Sequence, residues 1–245
     1  MWLRKVLQYF LLVGILAIYG LAFGKGWQQN TKEYTAMKVC RGIERAKTSK
    51  KVVALTFDDG PHQKYTEAIL DILQRNNIRA TFFVIGKNAQ RYPQIIAKIY
   101  KNGNVIGNHS YSHFYLTKLT AEEVVAELTK TSELVSAVIK EYPILFRPPY
   151  GVCSVRSAEI TRQLGFITIV WDDMANDYEV NHTTPEMIAA DVIKLAKPGS
   201  IIGLHDGGGN RKKTVMALPI IINTLRAAGY EFLTLSEMLN IKAYR

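Results

Sequence analysis

Asp58 and Asp59 are adjacent in the run Thr56-Phe57-Asp58-Asp59-Gly60-Pro61. Two neighbouring carboxylates repel, and a cation relieves that repulsion by favouring both ionised forms. His109 and His113 stand at His-x-x-x-His spacing in Asn108-His109-Ser110-Tyr111-Ser112-His113. Asp59, His109 and His113 offer one carboxylate and two imidazoles. Hydrolytic zinc sites use three ligands of this kind and leave a fourth position for water. Such a metal acidifies the water and polarises a carbonyl. Asp58, next to a ligand, can then reach the water as general base. Arg147, in Phe146-Arg147-Pro148-Pro149-Tyr150-Gly151, can pair with Asp58 and keep it anionic and oriented. His205 can give a proton to a leaving amine, and Asp177 can hold its other nitrogen and raise its pKa. The backbone N–H of Tyr150 can complete an oxyanion hole. The chemistry that follows is metal-assisted hydrolysis of an amide or ester.

These residues must be brought together by the elements around them. From Val52 onward, short apolar runs alternate with helical patterns. Strands are predicted at Val52–Phe57, Ala80–Ile85, Asn104–Ile106, Ile144–Phe146, Phe166–Val170, Ser200–Leu204 and Glu231–Leu233. Helices are predicted at Tyr65–Asn76, Asn88–Lys101, Ala121–Lys140, Val155–Leu164, Pro185–Ala196 and Val215–Ala228. Thr120 with Glu123 makes a capping box, and Pro185 suits a first helical position. Gly103, Gly165 and Gly229 fall where helices end. Continuous apolar strands alternating with helices imply a mainly parallel sheet. Seven strands suit a (β/α) barrel, with an open doubly wound sheet as the alternative. In such folds chemistry gathers at the carboxyl ends of the strands. Each motif alone has an ordinary reading as a turn, a rigid loop or packing. Five of them in order, each just past a predicted strand, point to one site.

The chain's formal charge is +10 over 245 residues. Residues 1–23 carry +2, residues 24–51 carry +6, and residues 52–245 carry 21 bases against 19 acids. A nearly neutral body gives little support for a nucleic-acid partner. Arg4 and Lys5 precede an apolar run from Val6 to Phe23. That pattern predicts a hydrophobic helix at 1–23 acting as a secretory signal or a membrane anchor, with the body outside the cytoplasm. Residues 24–51 read as a basic, weakly structured linker, and 52–245 as the catalytic domain. Cys40 and Cys153 are the only two cysteines and read as free or inert, although export permits a bridge.

The motifs resemble those of the polysaccharide deacetylase family, the NodB-homology domain of carbohydrate esterase family 4. The resemblance covers about residues 50–240. It implies a distorted (β/α)7 barrel holding one divalent metal, zinc first, with cobalt, nickel or manganese as alternatives. It also implies removal of acetyl groups from N-acetylated sugars in peptidoglycan or chitin, and in some members from xylan esters. By this match Asp58 is the base, Asp59, His109 and His113 the metal ligands, and His205 the acid. Arg147 orients the base and Asp177 tunes the acid. Pro149, Tyr150, Trp171 and Leu204 are the candidates to bind the sugar. The family often has Asp-Trp where this chain has Asp177-Tyr178, and Asp172 and Asp173 offer competing alignments. The expected partner is an N-acetylated glycan polymer or oligosaccharide, acted on by a monomer. A catalytically silent glycan-binding module, or an enzyme for acetylxylan or a small amide, is the alternative.

Three further features have everyday readings. Asn108-His109-Ser110 and Asn181-His182-Thr183 match the N-glycosylation pattern. His62 either lines a groove or lies on the surface. Gly207–Gly209 with Arg211, Lys212 and Lys213 reads as a mobile, solvated loop.

Overall fold

A computed structural model describes residues 42–178 and 183–245. The apolar segment 1–23, most of the linker, Cys40 and Asn181 lie outside the described residues. The centre is β1 (Val52–Asp58), buried along its whole length. Its Val-Val-Ala-Leu run has no polar face to offer water, so it suits the middle of a sheet covered on both sides. Around it lie β2 (Thr81–Val84), β3 (Val105–Asn108), β4 (Leu145–Phe146), β5 (Ile167–Thr168), β6 (Asp173–Met174), β7 (Ser200–His205) and β8 (Glu231–Phe232). The order is β5-β4-β3-β2-β1-β7-β6, all pairs are parallel, and β8 joins the amino end of β1. The sheet curls into a partial barrel, as the seven-stranded distorted barrel reading expects. It differs from that expectation by one strand. β6 is two residues long and exists because Asp173 and Met174 pair with Ile202 and Gly203 of β7. So short a run carries no periodic signal.

The curl leaves β5 and β6 as the ends of the sheet, and the segment read as linker bridges that opening. Ile43 N–H donates to Thr168 O at 2.9 Å and Val170 N–H to Ile43 O at 3.0 Å. Ala46 N–H then donates to Gly199 O at 2.9 Å, beside β7. Ala46 is buried. The end of the basic stretch is therefore part of the barrel wall. Its lysines and arginine face outward from a strand-like path that sequence periodicity does not mark.

The outer helices are α1 (Tyr65–Arg75), α2 (Gly86–Arg91), α3 (Pro93–Lys101), α4 (Ala121–Ile139), α5 (Val155–Gln163), α6 (Pro185–Leu195), α7 (Lys212–Ala227) and α8 (Leu235–Leu239). The single helix expected over Asn88–Lys101 is split, because Tyr92 precedes Pro93 and leaves the helical region. Thr120 and Glu123 do form a capping box on α4, and Thr184 caps α6. Such caps stabilise a helix by about 1 kcal/mol. His62 also serves a helix start. Its Nδ1 accepts from the N–H groups of Lys64 and Tyr65, and its ring stacks on Tyr65. The main core packs α1, α3, α6 and α7 against β1, β2 and β7, with Phe57 stacked on Phe82. This core holds the strand ends in fixed relation. Among the described residues, no helix is long and apolar enough to cross a membrane.

Candidate active site

The strand ends converge on a cavity of about 440 Å³ lined by Asp58, Asp59, His109, His113, Tyr150, Trp171, Met174, Tyr178, His205 and Arg211. A larger groove of about 940 Å³ adjoins Gly42, the first described residue, and holds none of these strand-end groups. The chemistry belongs to the smaller cavity.

Asp58 ends β1 and is 2% exposed. Arg147, just past β4, is fully buried and donates from Nη1 to Asp58 Oδ1 at 2.7 Å and to Thr56 Oγ1 at 2.7 Å. The guanidinium lies over the Phe83 ring at 4.2 Å and the Trp171 ring at 5.3 Å. Ring contacts and two hydrogen bonds from Nη1 restrict this planar cation's orientation, and it passes that orientation to the carboxylate.

Asp59 has a backbone φ of 73°. Left-handed geometry in a non-glycine residue costs roughly 1–2 kcal/mol, so its surroundings must hold it. The turn aims Oδ1 at His113 Nε2, 3.2 Å away, and at His109 Nε2, 3.5 Å away. The three ligand atoms lie within 4.8 Å of one another. His109 Nδ1 is 2.7 Å from Arg147 O. A carbonyl only accepts, so Nδ1 carries a proton and donates it to Arg147 O, while Nε2 faces the carboxylate. Asp59 Oδ1 is itself buried without a hydrogen-bond partner. Two imidazoles and an orphaned carboxylate oxygen turned on one point fit a cation, and the backbone bond on His109 Nδ1 is the usual outer support of a histidine ligand. Burial works against the charge on Asp59. His109 above all, then His205 and His113, outweigh it and hold the carboxyl below its ordinary range. Burial and the neighbouring His109 push His113 down to about 4, so it stays a neutral donor.

His205 ends β7, the strand beside β1, in register with Asp58. Its Nδ1 donates to Asp177 Oδ1 at 2.7 Å, and its backbone N–H donates to Asp177 Oδ2 at 2.8 Å. Thr214 Oγ1 donates to the same Oδ2 at 2.9 Å. Burial disfavours the imidazolium, but the bond and charge of Asp177 prevail and raise the His205 pKa. Asp177 is thus the partner of His205. Asp172 turns instead to Ser200 Oγ and the Ile201 N–H, a strut on β7. Tyr178 meets His205 edge-on at 6.4 Å and is half exposed.

Of the sugar-binding candidates, Tyr150 and Trp171 line the cavity. Pro149 is buried outside its walls, and Leu204 is fully buried in the main core. Tyr150 is in the left-handed region at φ 58° and stacks flat on Tyr115, with ring centroids 4.0 Å apart. Sequence reasoning missed Tyr115, Met174 and Arg211. Arg211 corrects the reading of a solvated loop. It is 5% exposed and donates to Gly207 O and Asp177 O, tying the two loops beside His205. Cys153 is also corrected: it is buried and disulfide-bonded. Asn108 is buried and donates to Leu128 O and Ser132 Oγ, which removes it as a glycan acceptor in the folded chain.

Comparison with known proteins agrees with this geometry. A family model described as polysaccharide deacetylase matches residues 45–169. A peptidoglycan-N-acetylglucosamine deacetylase of Bacillus cereus is 37% identical over 194 residues, which is 79% of this chain and 91% of that protein. The peptidoglycan-N-acetylmuramic acid deacetylase PdaA of Bacillus subtilis is 34% identical over 81% of this chain and 75% of its own length. A solved peptidoglycan N-acetylglucosamine deacetylase, in complex with 4-naphthalen-1-yl-N-oxidanyl-benzamide, superposes with a TM-score of 0.79 at 34% identity. That match covers 82% of this chain and 94% of the solved one.

Proposed function

The chain belongs to the polysaccharide deacetylase family, and from that membership we propose that it removes N-acetyl groups from the amino sugars of peptidoglycan. One observation carries the reading. An oriented carboxylate (Asp58) and a paired imidazole (His205) end adjacent strands and line one cavity, with the Asp59–His109–His113 cluster in the same cavity.

A divalent ion, zinc in our reading, would be held by Asp59, His109 and His113, and when bound would polarise the acetyl carbonyl and acidify the attacking water. Asp58 takes the proton of that water, and Arg147 keeps the carboxylate aimed until it does so. The Tyr150 N–H donates to the oxygen on which negative charge builds. His205 delivers its proton to the sugar nitrogen as the C–N bond breaks. Acetate and a free amine leave, the water oxygen ends in the acetate, and the proton on Asp58 returns through solvent. Asp177 fixes the His205 tautomer by taking Nδ1–H, so Nε2 faces the nitrogen.

Relatives acting on peptidoglycan support that polymer over chitin and xylan. The run Val6–Phe23 behind Arg4 and Lys5 supports export to the same compartment. The test is acetate release from peptidoglycan, chitooligosaccharides and acetylxylan in parallel, with chelator and with added Zn²⁺. The expected result is metal-dependent release that is greatest on peptidoglycan and absent in Asp58→Asn. Activity unimpaired in that variant would overturn the proposal.

A further inference from the structure

Asp206 follows His205, is fully buried, and has no place in the chemistry above. Its carboxylate lies directly over Gly60, where an added Cβ would fall 2.1 Å from Oδ2. Thr66, in the first turn of α1, donates from Oγ1 to that Oδ2 at 2.5 Å. The same Thr66 hydroxyl accepts from the His62 N–H at 2.7 Å. The Asp206 backbone N–H donates to Asp58 O at 3.0 Å. A relay of two side chains therefore spans the turn from Asp58 to His62 and anchors it to α1 and to the end of β7. On the opposite side, Asn88 Nδ2 donates to Asp59 O at 2.8 Å, and the Ile85 N–H donates to Gly60 O at 2.9 Å.

Between these tethers sits Asp59, in the left-handed conformation that aims Oδ1 at the two histidines. Aspartate tolerates that backbone state better than most residues, but it is still costlier than the right-handed and extended states, so tethers that hold it matter. We infer that Asp206 and Thr66, with Asn88, are positioning residues for the metal site, holding the Asp59 turn in its ligand-ready form. The inference deepens the proposed function and rests on Asp59 being a metal ligand. Outer partners of this kind typically change metal affinity by about 10- to 100-fold.

The test is Zn²⁺ affinity of the purified chain, measured by competition with a chromophoric chelator, independently of acetate release. Thr66→Val keeps the shape and deletes both hydroxyl bonds, while Thr66→Ser keeps them. Asp206→Asn and Asn88→Ala probe the other tethers, and Asn88 is only partly buried, so its loss is compatible with folding. Expected are a loss of about tenfold or more in Thr66→Val and Asp206→Asn, a smaller loss in Asn88→Ala, and affinity within about twofold of wild type in Thr66→Ser. Unchanged zinc affinity in Thr66→Val, or an equal loss in Thr66→Ser, would overturn the inference alone. Should Thr66→Val not fold, unchanged affinity in Asp206→Asn or Asn88→Ala does the same. A wild-type chain that binds no zinc overturns this inference and the proposed metal site together.

Discussion

Arg147 Nη1 donates to Asp58 Oδ1 at 2.7 Å, with both side chains closed to solvent. Removing one partner leaves a buried charge without its counter-ion, which costs about 3–5 kcal/mol. Arg147→Met is therefore expected to lower stability by that amount in urea unfolding and to abolish acetate release. Replacing both, as Arg147→Met with Asp58→Asn, removes the stranded charge. The double variant should regain much of the stability and none of the activity. Full stability in Arg147→Met alone would show that water reaches the pair.

Asp177 raises the His205 pKa against the pull of burial. A general acid works only while protonated, so activity falls as pH rises through that pKa. Asp177→Asn removes the charge that favours imidazolium, and the alkaline limb of the kcat/KM profile should move to lower pH with a reduced maximum. The same pair contributes to folding. Because the folded pKa lies above the unfolded one, its stabilisation is complete below about pH 6.5 and fades as pH rises through the folded value. The wild-type advantage over Asp177→Asn in thermal unfolding should shrink accordingly at high pH.

Metal binding should register in stability, because a ligand that binds only the folded state stabilises it. At 100 times the dissociation constant the gain is about 2.7 kcal/mol. For a chain of this size that raises Tm by roughly 5–10 °C. EDTA should remove the increment and the activity together, Zn²⁺ should restore both, and His113→Ala should show neither response. The metal-free protein has its own pH signature. His113 is pushed down to about 4 by burial and by His109. The unfolded chain binds that proton more readily, so metal-free stability should decline as pH falls from about 6.5 towards 4. A Tm indifferent to zinc in the wild type would contradict the ligand assignment.

What sequence reading located, and what it did not, follows from how far each signal is local. Asp58, Asn108, Arg147 and His205 sit directly after apolar runs whose burial pattern demands a strand, so their strand-end placement was legible. β6 was not, because Asp173 and Met174 become a strand only when β7 lies beside them. The closure by Ile43–Ala46 was hidden for the same reason, beneath a basic composition that suggests solvent. Three aspartates competed to pair with His205, and only the fold separates them: Asp172 meets the start of β7 and Asp177 meets its end. Arg211 looked solvated because it neighbours glycines and lysines. Yet those glycines are what let the loop close over Asp59 and bury the arginine.

Gly208 makes that last point testable. Its φ of +70° is one that side-chain-bearing residues rarely adopt, and an added Cβ would fall 2.3 Å from Asp59 Oδ2. Something must yield. The carboxylate is the looser neighbour, since Asp59 Oδ1 has no hydrogen bond to lose. Gly208→Ala should therefore rotate the Asp59 carboxylate away from His109 and His113. Zinc affinity and acetate release should fall together by at least tenfold. The folded chain should persist, destabilised by about 1–2 kcal/mol from the left-handed alanine. Gly209 has an added Cβ contact only at 4.0 Å, to Arg211. Gly209→Ala carries backbone strain alone and should leave zinc affinity near wild type. Zinc affinity lowered equally in both variants would mean that loop strain, and not the Cβ contact with Asp59, governs the site.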